Sequence, residues 1–287
     1  MMNDEDSHQL PADTPHIDEG PPSVSIVVIG DEVLHGHVRD ENSWFLIDQL
    51  REHAVLVDHV QVIGDDVSAI ASVLQEELRR SRPRLILTCG GIGATPDDLT
   101  YEAIGRSLDK PLVANPYLGD LIKSLIAQLE TDGYDVTAED RSWLETMGRL
   151  PDGMEILGDD GWAVASYIEV AGGLLASEGA TIAALPGVPP YLRRIFSEVV
   201  EPHLLPRSRG DEAVFAEVQH DLPEALVARF VVELRRNFSP IQVGSYAHGQ
   251  PCLRLTGPQH LVRMAEKQLR VLLDSVTRPE SSTRPAH

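Results

Sequence analysis

The amino-acid sequence predicts an α/β fold in which a mostly parallel sheet is followed by a smaller α+β unit. Two observations predict it. Short apolar runs alternate with amphipathic stretches along the first two thirds of the chain, which is the pattern of parallel strands joined by helices. After a stretch rich in proline, arginine and glycine, the order changes to strand, helix, strand, strand, helix. The chain has 287 residues, which is long enough for two domains.

The larger unit is preceded by a tail, residues 1–22, that holds six acids and almost no apolar residues, so it is predicted to be disordered. Apolar runs of Val, Ile and Leu then predict strands at 24–29, 55–63, 84–89, 162–170 and 180–185. Amphipathic patterns predict helices at 41–53, 66–80, 98–108, 116–130, 138–148 and 191–200. Prolines before the last of these suit a helix start. We therefore place the larger domain at residues 23–202.

The smaller unit follows residues 203–211, which are predicted to be a linker because they are rich in proline, arginine and glycine. We place this domain at residues 212–276 and a second disordered tail at 277–287. The pattern predicts strands at 213–219, 240–246 and 251–256 and helices at 222–236 and 258–276. Gly244-Ser245-Tyr246 ends one of the strands and is predicted to form a turn; the alternative is contact with a ligand or with the other domain.

Charge and composition exclude several classes of function. The chain has 45 acids against 24 bases, a net charge of −21, which disfavours a nucleic-acid partner because a polyanion would be repelled. No run of about 18 apolar residues occurs, and the acidic N-terminus is unlike a secretory signal, so we expect no membrane association and a cytoplasmic protein. The two cysteines, Cys89 and Cys252, form no disulfide framework and no metal spacing.

The most informative loop follows the strand at 84–89. Its glycines can adopt backbone angles closed to other residues and can leave amide groups open to an anion. The acids and threonine that follow are predicted to open the next helix, where unpaired N–H groups favour phosphate. The alternative is a tight turn and an ordinary helix cap. The residues of this predicted phosphate loop are Gly90, Gly91, Gly93, Thr95, Asp97, Asp98 and Thr100.

A second polar loop follows the strand at 24–29 and carries Asp31, Asp40 and Asn42. Because ligands bind at the carboxyl ends of the strands in open α/β sheets, both loops are expected to line one pocket. The alternative is that Asp31 closes a turn and that Asp40 caps the following helix. Since the phosphate loop has carboxylates and no basic residue, a divalent cation such as Mg²⁺ is expected between protein and ligand.

Three further features of the sequence bear on function. Pro186-Gly187-Val188 follows another predicted strand, either as a third loop of the same pocket or as a rigid turn. His35 and His37 are predicted to be exposed loop histidines, with roles as ligands or acids as the alternative. The phosphate loop is not a P-loop, because the chain has no Gly-x-x-x-x-Gly-Lys-Ser/Thr sequence.

Taken together, these motifs resemble the CinA family, which carries the molybdopterin-binding domain also found in MoaB and MogA. The likeness spans roughly residues 24–202, with the motifs in the same order and at similar spacing. The motifs are Gly30-Asp31-Glu32, Gly36, Asp40-x-Asn42, Val62-Ile63-Gly64-Asp65-Asp66, the run from Thr88 to Thr100, and Leu185-Pro186-Gly187-Val188-Pro189.

The resemblance implies a three-layer αβα fold and either of two activities. CinA-like N-terminal domains are associated with metal-dependent pyrophosphatase action on ADP-ribose, and relatives cleave FAD. The MogA branch adenylylates molybdopterin. The resemblance also implies a homo-oligomer and a small phosphorylated ligand, a nucleotide or a pterin. We expect the pyrophosphatase; the alternatives are a protein of molybdenum-cofactor biosynthesis and a binding module without catalysis.

The resemblance also implies roles for individual residues. Asp31 and Asp98 are expected to hold the metal, and Asp65 and Asp97 are expected to support them or to activate water. The expected ligand-binding residues are Gly30, Gly36, Asp40, Asn42, Gly90, Gly91, Gly93, Thr95, Thr100 and Gly187.

Departures from the family pattern occur at three places. Ala94 stands where a proline is usual, and Cys89 stands where glycine or a similar small residue is usual. Gly161-Trp162-Ala163-Val164-Ala165 replaces a loop that lines the pocket in relatives, so Trp162, Val164 and Ala165 are expected to narrow the pocket, change its substrate or abolish catalysis. The amidase domain of full-length CinA proteins is not expected here, and neither is its deamidase activity.

Overall fold

The computed structural model describes residues 22–276, except 54, 56, 174–177, 206–212, 240 and 247–248. The predicted tails at 1–22 and 277–287 lie outside the described residues, apart from Pro22, and so does most of the predicted linker at 203–211. Within the described residues, no helix is long and apolar enough to cross a bilayer.

The strands of the larger unit form one six-stranded sheet and one short ribbon. They are β1 (Ser23–Ile29), β2 (Val57–Ile63), β3 (Arg84–Cys89), β4 (Leu112–Ala114), β5 (Arg149–Pro151), β6 (Glu155–Asp160), β7 (Ala163–Val170) and β8 (Ala180–Leu185). The sheet has the order β2-β1-β3-β8-β7-β6, and β4 pairs with β5. The first four strands in that order are parallel, and β7 and β6 are antiparallel to their neighbours.

The helices of the larger unit cover both faces of this sheet. They are α1 (Asp31–Leu34), α2 (Asn42–Glu52), α3 (Val67–Leu78), α4 (Thr100–Leu108), α5 (Pro116–Thr131), α6 (Ala138–Thr146), α7 (Pro189–Ile195), a π-helical turn (Phe196–Val200) and α8 (Glu201–Leu204). Helices α2 and α7 pack on one face, and α3, α4 and α5 pack on the other. The predicted three-layer α/β fold with a mostly parallel sheet is confirmed.

The strands at the centre of the sheet show why the sequence has this pattern. Nearly every residue of β1, and every residue of β3 and β8, is buried. Strands covered by helices on both faces are apolar without alternation. By contrast, β2 lies at the sheet edge, and its residues alternate between partly buried and exposed. The continuous apolar runs of the sequence therefore identify the strands that carry the loops of interest.

Several elements differ from the sequence-based expectation. The ribbon of β4 and β5 and the strand β6 were not predicted, because three-residue strands and a strand containing two aspartates give no apolar run. The last helical segment begins at Pro189, with its prolines in the first turn, and continues to Leu204. It therefore passes the expected domain end at residue 202.

The smaller unit consists of β9 (Ala213–Gln219), α9 (Glu224–Asn237), β10 (Gln242–Tyr246), β11 (Cys252–Pro258) and α10 (Gln259–Asp274). Its strands form an antiparallel sheet in the order β10-β11-β9. Both helices share one apolar core with alternate residues of the strands, such as Leu253 and Leu255. The other face of the sheet is open, and Phe215 and Tyr246 are half exposed. The predicted α+β order is therefore present.

The two units touch at the end of α2. The guanidinium carbon of Arg51 lies 6.0 Å from the ring centroid of Phe215 on β9. This distance is within the range of a cation–π contact. Helix α2 starts at Asn42, so it is the C-terminal end of this helix that contacts the smaller unit.

A buried ionic network lies near the amino ends of β1 and β3. Arg84 and Glu77 are 1% and 0% exposed, and Arg84 Nη1 lies 3.2 Å from Glu77 Oε2. Arg84 Nη2 donates to Asp58 Oδ2 at 2.7 Å, and Ser25 Oγ donates to Glu77 Oε2 at 2.5 Å. Every charge in this network therefore has a partner, as buried charges require.

Candidate functional site

Three loops meet at the carboxyl edge of the sheet through their main chains. The N–H of Gly90 donates to the carbonyl of Leu185 at 3.0 Å. A Cβ on Gly90 would lie 2.2 Å from the carbonyl oxygen of Ile29, and a Cβ on Gly187 would lie 3.2 Å from the Cα of Gly90. The loops after β1, β3 and β8 are therefore in contact, and the predicted convergence is observed.

Asn42 joins two of these loops. Its Nδ2 donates to the carbonyl of Gly187 at 2.7 Å. Its Oδ1 is buried and has no hydrogen-bond partner within the described residues. A buried acceptor without a partner is unusual in a native fold. Asn42 therefore links the start of α2 to the loop after β8, and its role in ligand binding stays a prediction.

Asp40 has a structural role at the same place. Its Oδ1 accepts from the N–H of Ser43 at 3.0 Å, and its Oδ2 accepts from the Ser43 hydroxyl. These are the contacts of a capping residue at the start of α2. Asp40 therefore orients the helix that presents Asn42, which matches the capping alternative.

The glycine loop closes onto the start of α4. The Thr100 hydroxyl donates to the carbonyl of Gly90 at 2.8 Å, and the Thr100 N–H donates to the carbonyl of Gly91 at 2.9 Å. Gly91 has a φ of +64°, and a Cβ there would lie 2.5 Å from Thr100 Oγ1. Only glycine fits this turn without strain and without a clash.

Asp98 holds the rest of the loop in shape. Its carboxylate accepts from the N–H of Gly93 at 2.6 Å, from the N–H of Thr95 at 2.8 Å and from the Thr95 hydroxyl at 2.6 Å. The helix begins at Thr100, so the expectation that Asp97 and Asp98 lie within its first turn is wrong. Both acids lie in the loop before it, because the Asp98 side chain bonds back to loop amides instead of capping the helix.

Other amides of the loop remain available. The N–H groups of Gly91, Ile92 and Ala94 have no acceptor within the part of the chain that the structure describes. Free amides in a glycine turn present positive partial charge that suits an anion. We call these three N–H groups the amide cradle. Sequence analysis missed Ile92 and found Ala94 only as a departure, because main-chain donors leave no trace in side-chain identity.

Four acids lie near one another at this edge of the sheet, and one of them, Asp97, belongs to the loop that carries the amide cradle. The N–H of Asp31 donates to Asp65 Oδ2 at 2.8 Å. Burial raises the pKa of Asp65, the hydrogen bond from Asp31 opposes this rise, and the charges of Asp31, Glu32 and Asp97 add to it. Gly64 makes room for this arrangement, because a Cβ there would lie 2.3 Å from Asp31 Oδ1. We call Asp31, Glu32, Asp65 and Asp97 the acidic cluster.

The acidic cluster bears on the expected metal. Carboxylate oxygens are the donors that Mg²⁺ prefers, and Mg²⁺ usually takes one or two protein carboxylates together with substrate phosphates. Among the described residues, no group of three or more potential ligands is assembled for an ion. The residue types therefore fit a metal shared with a phosphate ligand. The roles of Asp31 and Asp98 as its ligands stay a prediction, since the Asp98 carboxylate already accepts three hydrogen bonds.

Two predicted site glycines lie at the margin. Gly36 has a φ of +76°, and its N–H donates to the carbonyl of Val33 at 3.0 Å, so it serves the turn geometry. The N–H of Gly30 donates to the carbonyl of Ile63 at 3.0 Å, which ties the first loop to the end of β2. His35 and His37 are exposed, as expected.

The altered segment at 161–165 forms the turn and first residues of β7. The Tyr117 hydroxyl donates to the carbonyl of Gly161 at 3.0 Å. Ala165 is buried in the core on one sheet face, and Val164 packs against the core on the other. These two side chains therefore lie in the core layers, and Trp162, which is 43% exposed, stays at the turn.

Cys89 is buried at the end of β3, and burial raises the pKa of its thiol. The thiolate form that a nucleophile needs is therefore suppressed at neutral pH. Cys89 therefore acts as a small buried residue at the end of a strand.

The raised pKa of Asp65 has a measurable consequence for stability. An acid whose pKa rises on folding destabilises the native state while it is ionised. The penalty is fully present above the folded-state pKa and is lost as the pH falls below the ordinary value of 3.8. Asp65→Asn is therefore expected to raise Tm at pH 7, and the gain is expected to shrink as the solution is acidified. Thermal unfolding followed by circular dichroism between pH 3 and 8 measures both effects.

Asp66→Asn is the matched control. Asp66 caps α3 by accepting from the N–H of Ala69 at 2.8 Å, and asparagine caps equally well. Its Tm is expected to stay close to that of the unaltered chain. If the Tm of Asp65→Asn at pH 7 is unchanged or lower, then burial and the neighbouring acids do not destabilise the ionised form of Asp65.

Comparison with known proteins agrees with this fold. The family model described as "Probable molybdopterin binding domain" matches residues 25–206. Protein TK1472 of Thermococcus kodakarensis is 31% identical over 224 residues, which cover 77% of this chain and 86% of that protein. The fold and the matched domain define a protein of the molybdopterin-binding-domain class.

A CinA-like protein of Picosynechococcus is 27% identical over 249 residues, which are 85% of this chain and 56% of that protein. The crystal structure of CinA from Thermoplasma acidophilum has the same fold, with a TM-score of 0.50 and 23% identity, covering 61% of this chain and 94% of that one. The chain belongs to the CinA family, with a MoaB/MogA-type domain. It spans little more than half of the cyanobacterial relative.

Proposed function

We propose that this chain is a divalent-metal-dependent nucleotide pyrophosphatase that acts on dinucleotides of the ADP-ribose or FAD type. The observation that carries the proposal is the position of the amide cradle and the acidic cluster at one sheet edge. A phosphoanhydride needs donors for its phosphate oxygens and a cation to offset its charge. The cradle offers the donors, and the acids offer oxygen ligands for the cation.

In this proposal, the cradle orients one phosphate and Asn42 Oδ1 accepts a hydrogen bond from the ligand. A bound Mg²⁺ would offset the charge that develops on the leaving phosphate, with Asp31 as its protein ligand. Asp65 accepts a proton from the attacking water, because its raised pKa brings it closer to neutral pH than an ordinary carboxylate. The water oxygen bonds to one phosphorus and the P–O bond of the anhydride breaks, so the products are AMP and the other half of the dinucleotide, each with one phosphate.

The test is AMP release, measured by chromatography, from ADP-ribose, FAD, NAD and coenzyme A with Mg²⁺, Mn²⁺ or Co²⁺. Asp31→Asn keeps the size of the side chain but removes its charge, and the rate is expected to fall about 100-fold or more, since transition-state charge loses its counterion. Asp120→Asn is the control, because Asp120 lies exposed on α5 and pairs with Lys123. Its rate is expected to be unchanged.

Equal loss in both variants, or no AMP from any substrate with any metal, would overturn the pyrophosphatase. In the second case a ligand that still raises Tm would identify a binding module.

A second candidate is a molybdopterin-binding protein of molybdenum-cofactor biosynthesis. Two observations favour it: the match to the molybdopterin-binding domain, and the unpartnered Asn42 Oδ1, which suits an N–H donor of a pterin ring. AMP transfer from ATP to molybdopterin, detected by mass spectrometry, would support this candidate over hydrolysis. We also propose a cytoplasmic homo-oligomer, and sedimentation velocity tests the oligomeric state.

A further inference from the structure

A cavity lies in the smaller unit at the edge strand β10, between residues at the end of α9 and residues of β10 and β11. Its volume is about 480 Å³, within the range of sites for small molecules. We call it the sheet-face cavity. None of its lining residues belongs to the site described above. Its polar and charged lining residues are Arg235, Ser239, Gln242, Tyr246, Arg254 and Thr256.

Two arginines line the sheet-face cavity of a chain whose net charge is −21. Arg235 Nη2 donates to the carbonyl of Val243 at 2.7 Å, which fixes the guanidinium at the edge of β10. Arg254 forms an ion pair with Glu217, because its Nε donates to Glu217 Oε1 at 2.9 Å and its Nη2 donates to the same oxygen. The Nε and Nη1 groups of Arg235 and the Nη1 group of Arg254 have no acceptor within the described residues of the chain. Two held guanidinium groups with open donors are suited to a phosphate or carboxylate.

An aromatic ring lies beside these cations. Tyr246 is 46% exposed, and its ring centroid is 4.7 Å from the guanidinium carbon of Arg254. Gly244 leaves room for this ring, because a Cβ on Gly244 would lie 2.9 Å from Tyr246 Cε2. The ring therefore lies over the backbone of its own strand. A half-exposed ring on an open sheet face, next to a guanidinium, is a surface on which a base can stack.

We propose that the sheet-face cavity binds a mononucleotide. Arg235 and Arg254 hold its phosphate, the base stacks on Tyr246, and the side chains of Ser239, Gln242 and Thr256 bond to polar groups of the sugar and base. One nucleotide fits the charge of the chain, since the electrostatic penalty for a polyanion does not apply to a single phosphate.

This site is distinct from the proposed catalytic edge. The smaller unit contacts Arg51 at the carboxyl end of α2, whereas Asn42 at the other end of α2 bonds to the catalytic loops. An 11-residue helix is roughly 16 Å long. The proposal therefore adds a second nucleotide site to the chain and does not depend on catalysis.

The experiment is a calorimetric titration of the full chain with 5′-AMP, combined with hydrogen–deuterium exchange to locate the bound ligand. Arg235→Gln is expected to weaken AMP binding at least tenfold and to remove AMP-dependent protection of β10 and β11. Arg236→Gln is the matched control, because Arg236 is an exposed neighbour on α9 that does not line the cavity. It is expected to bind AMP as the unaltered chain does.

Protection of residues 90–100 reports the catalytic loops separately. If Arg235→Gln loses the AMP-dependent protection of β10 and keeps the protection of residues 90–100, the result supports nucleotide binding in the sheet-face cavity. Protection of β10 that survives in Arg235→Gln, or no protection there at saturating AMP, would overturn it, whatever happens at 90–100.

The base contact has its own test. Tyr246→Leu is expected to weaken binding of AMP severalfold and to leave binding of inorganic phosphate unchanged. Inorganic phosphate that binds the unaltered chain as tightly as AMP would overturn the nucleotide assignment. A short oligoadenylate that binds more tightly than AMP at physiological salt would equally overturn it, in favour of a single-stranded nucleic acid.

Discussion

Replacing Gly90 by alanine is expected to destabilise the larger unit by about 4 kcal/mol, since it adds left-handed strain to a clash in a packed region. Gly90 has a φ of +104°, and its Cβ would lie 2.2 Å from the carbonyl oxygen of Ile29. That oxygen belongs to β1, which is held between β2 and β3, so it cannot move away cheaply. Any ligand binding at the cradle is expected to be lost as well.

Urea denaturation followed by circular dichroism measures this effect, with Gly36→Ala as the control. Gly36 also has a positive φ, +76°, but a Cβ there meets no atom within 4 Å. Its substitution is expected to cost about 1 kcal/mol from backbone strain alone. If both variants lose the same free energy of unfolding, the close contact of the loops at Gly90 contributes nothing to stability.

Replacing Arg84 by methionine is expected to cost 3 to 5 kcal/mol, roughly the range found when one partner of a buried ion pair is removed. Glu77 is fully buried, and Arg84 is its buried partner. Methionine fills much of the space of the arginine but leaves this carboxylate short of positive charge. The urea midpoint of the larger unit reports the loss.

Arg80→Met is the matched control, because Arg80 Nε also donates to Glu77, at 3.1 Å, but its side chain is 33% exposed. A part-exposed pair of this kind contributes at most about 1 kcal/mol. Adding Glu77→Gln to Arg84→Met removes the uncompensated charge and is expected to restore roughly half of the loss. If Arg80→Met costs as much as Arg84→Met, burial is not the cause.

The fold was largely predictable because its central strands are buried on both faces. Continuous apolar runs such as Ile26–Ile29 and Leu85–Leu87 leave few alternatives, and the helices between them have clear amphipathic patterns. Short or polar strands at the periphery, such as Glu155–Asp160, were not predictable, since pairing with a neighbour and not their own composition makes them strands.

At the candidate site, the meeting of the loops was predictable, but the contacts of the individual side chains were not. The convergence of the loops with Gly90 and Gly187 followed from the rule for the carboxyl ends of parallel strands. Asp98 shapes the loop through a few hydrogen bonds, and burial raises the pKa of Asp65. Spacing along the chain encodes neither effect. The sheet-face cavity left even less signal, because Arg235 and Arg254 are 19 positions apart and ordinary by type.

The contact of the three loops through glycines also bears on how this site can change in evolution. Where Gly90, Gly187 and the carbonyl of Ile29 meet, there is no side chain to exchange, so point mutation has almost no neutral step available at this meeting point. New specificity has to come from neighbouring positions with exchangeable side chains, in the acidic cluster and at the start of α2. A directed-evolution library confined to those positions is the efficient way to seek new binding properties at this edge of the sheet.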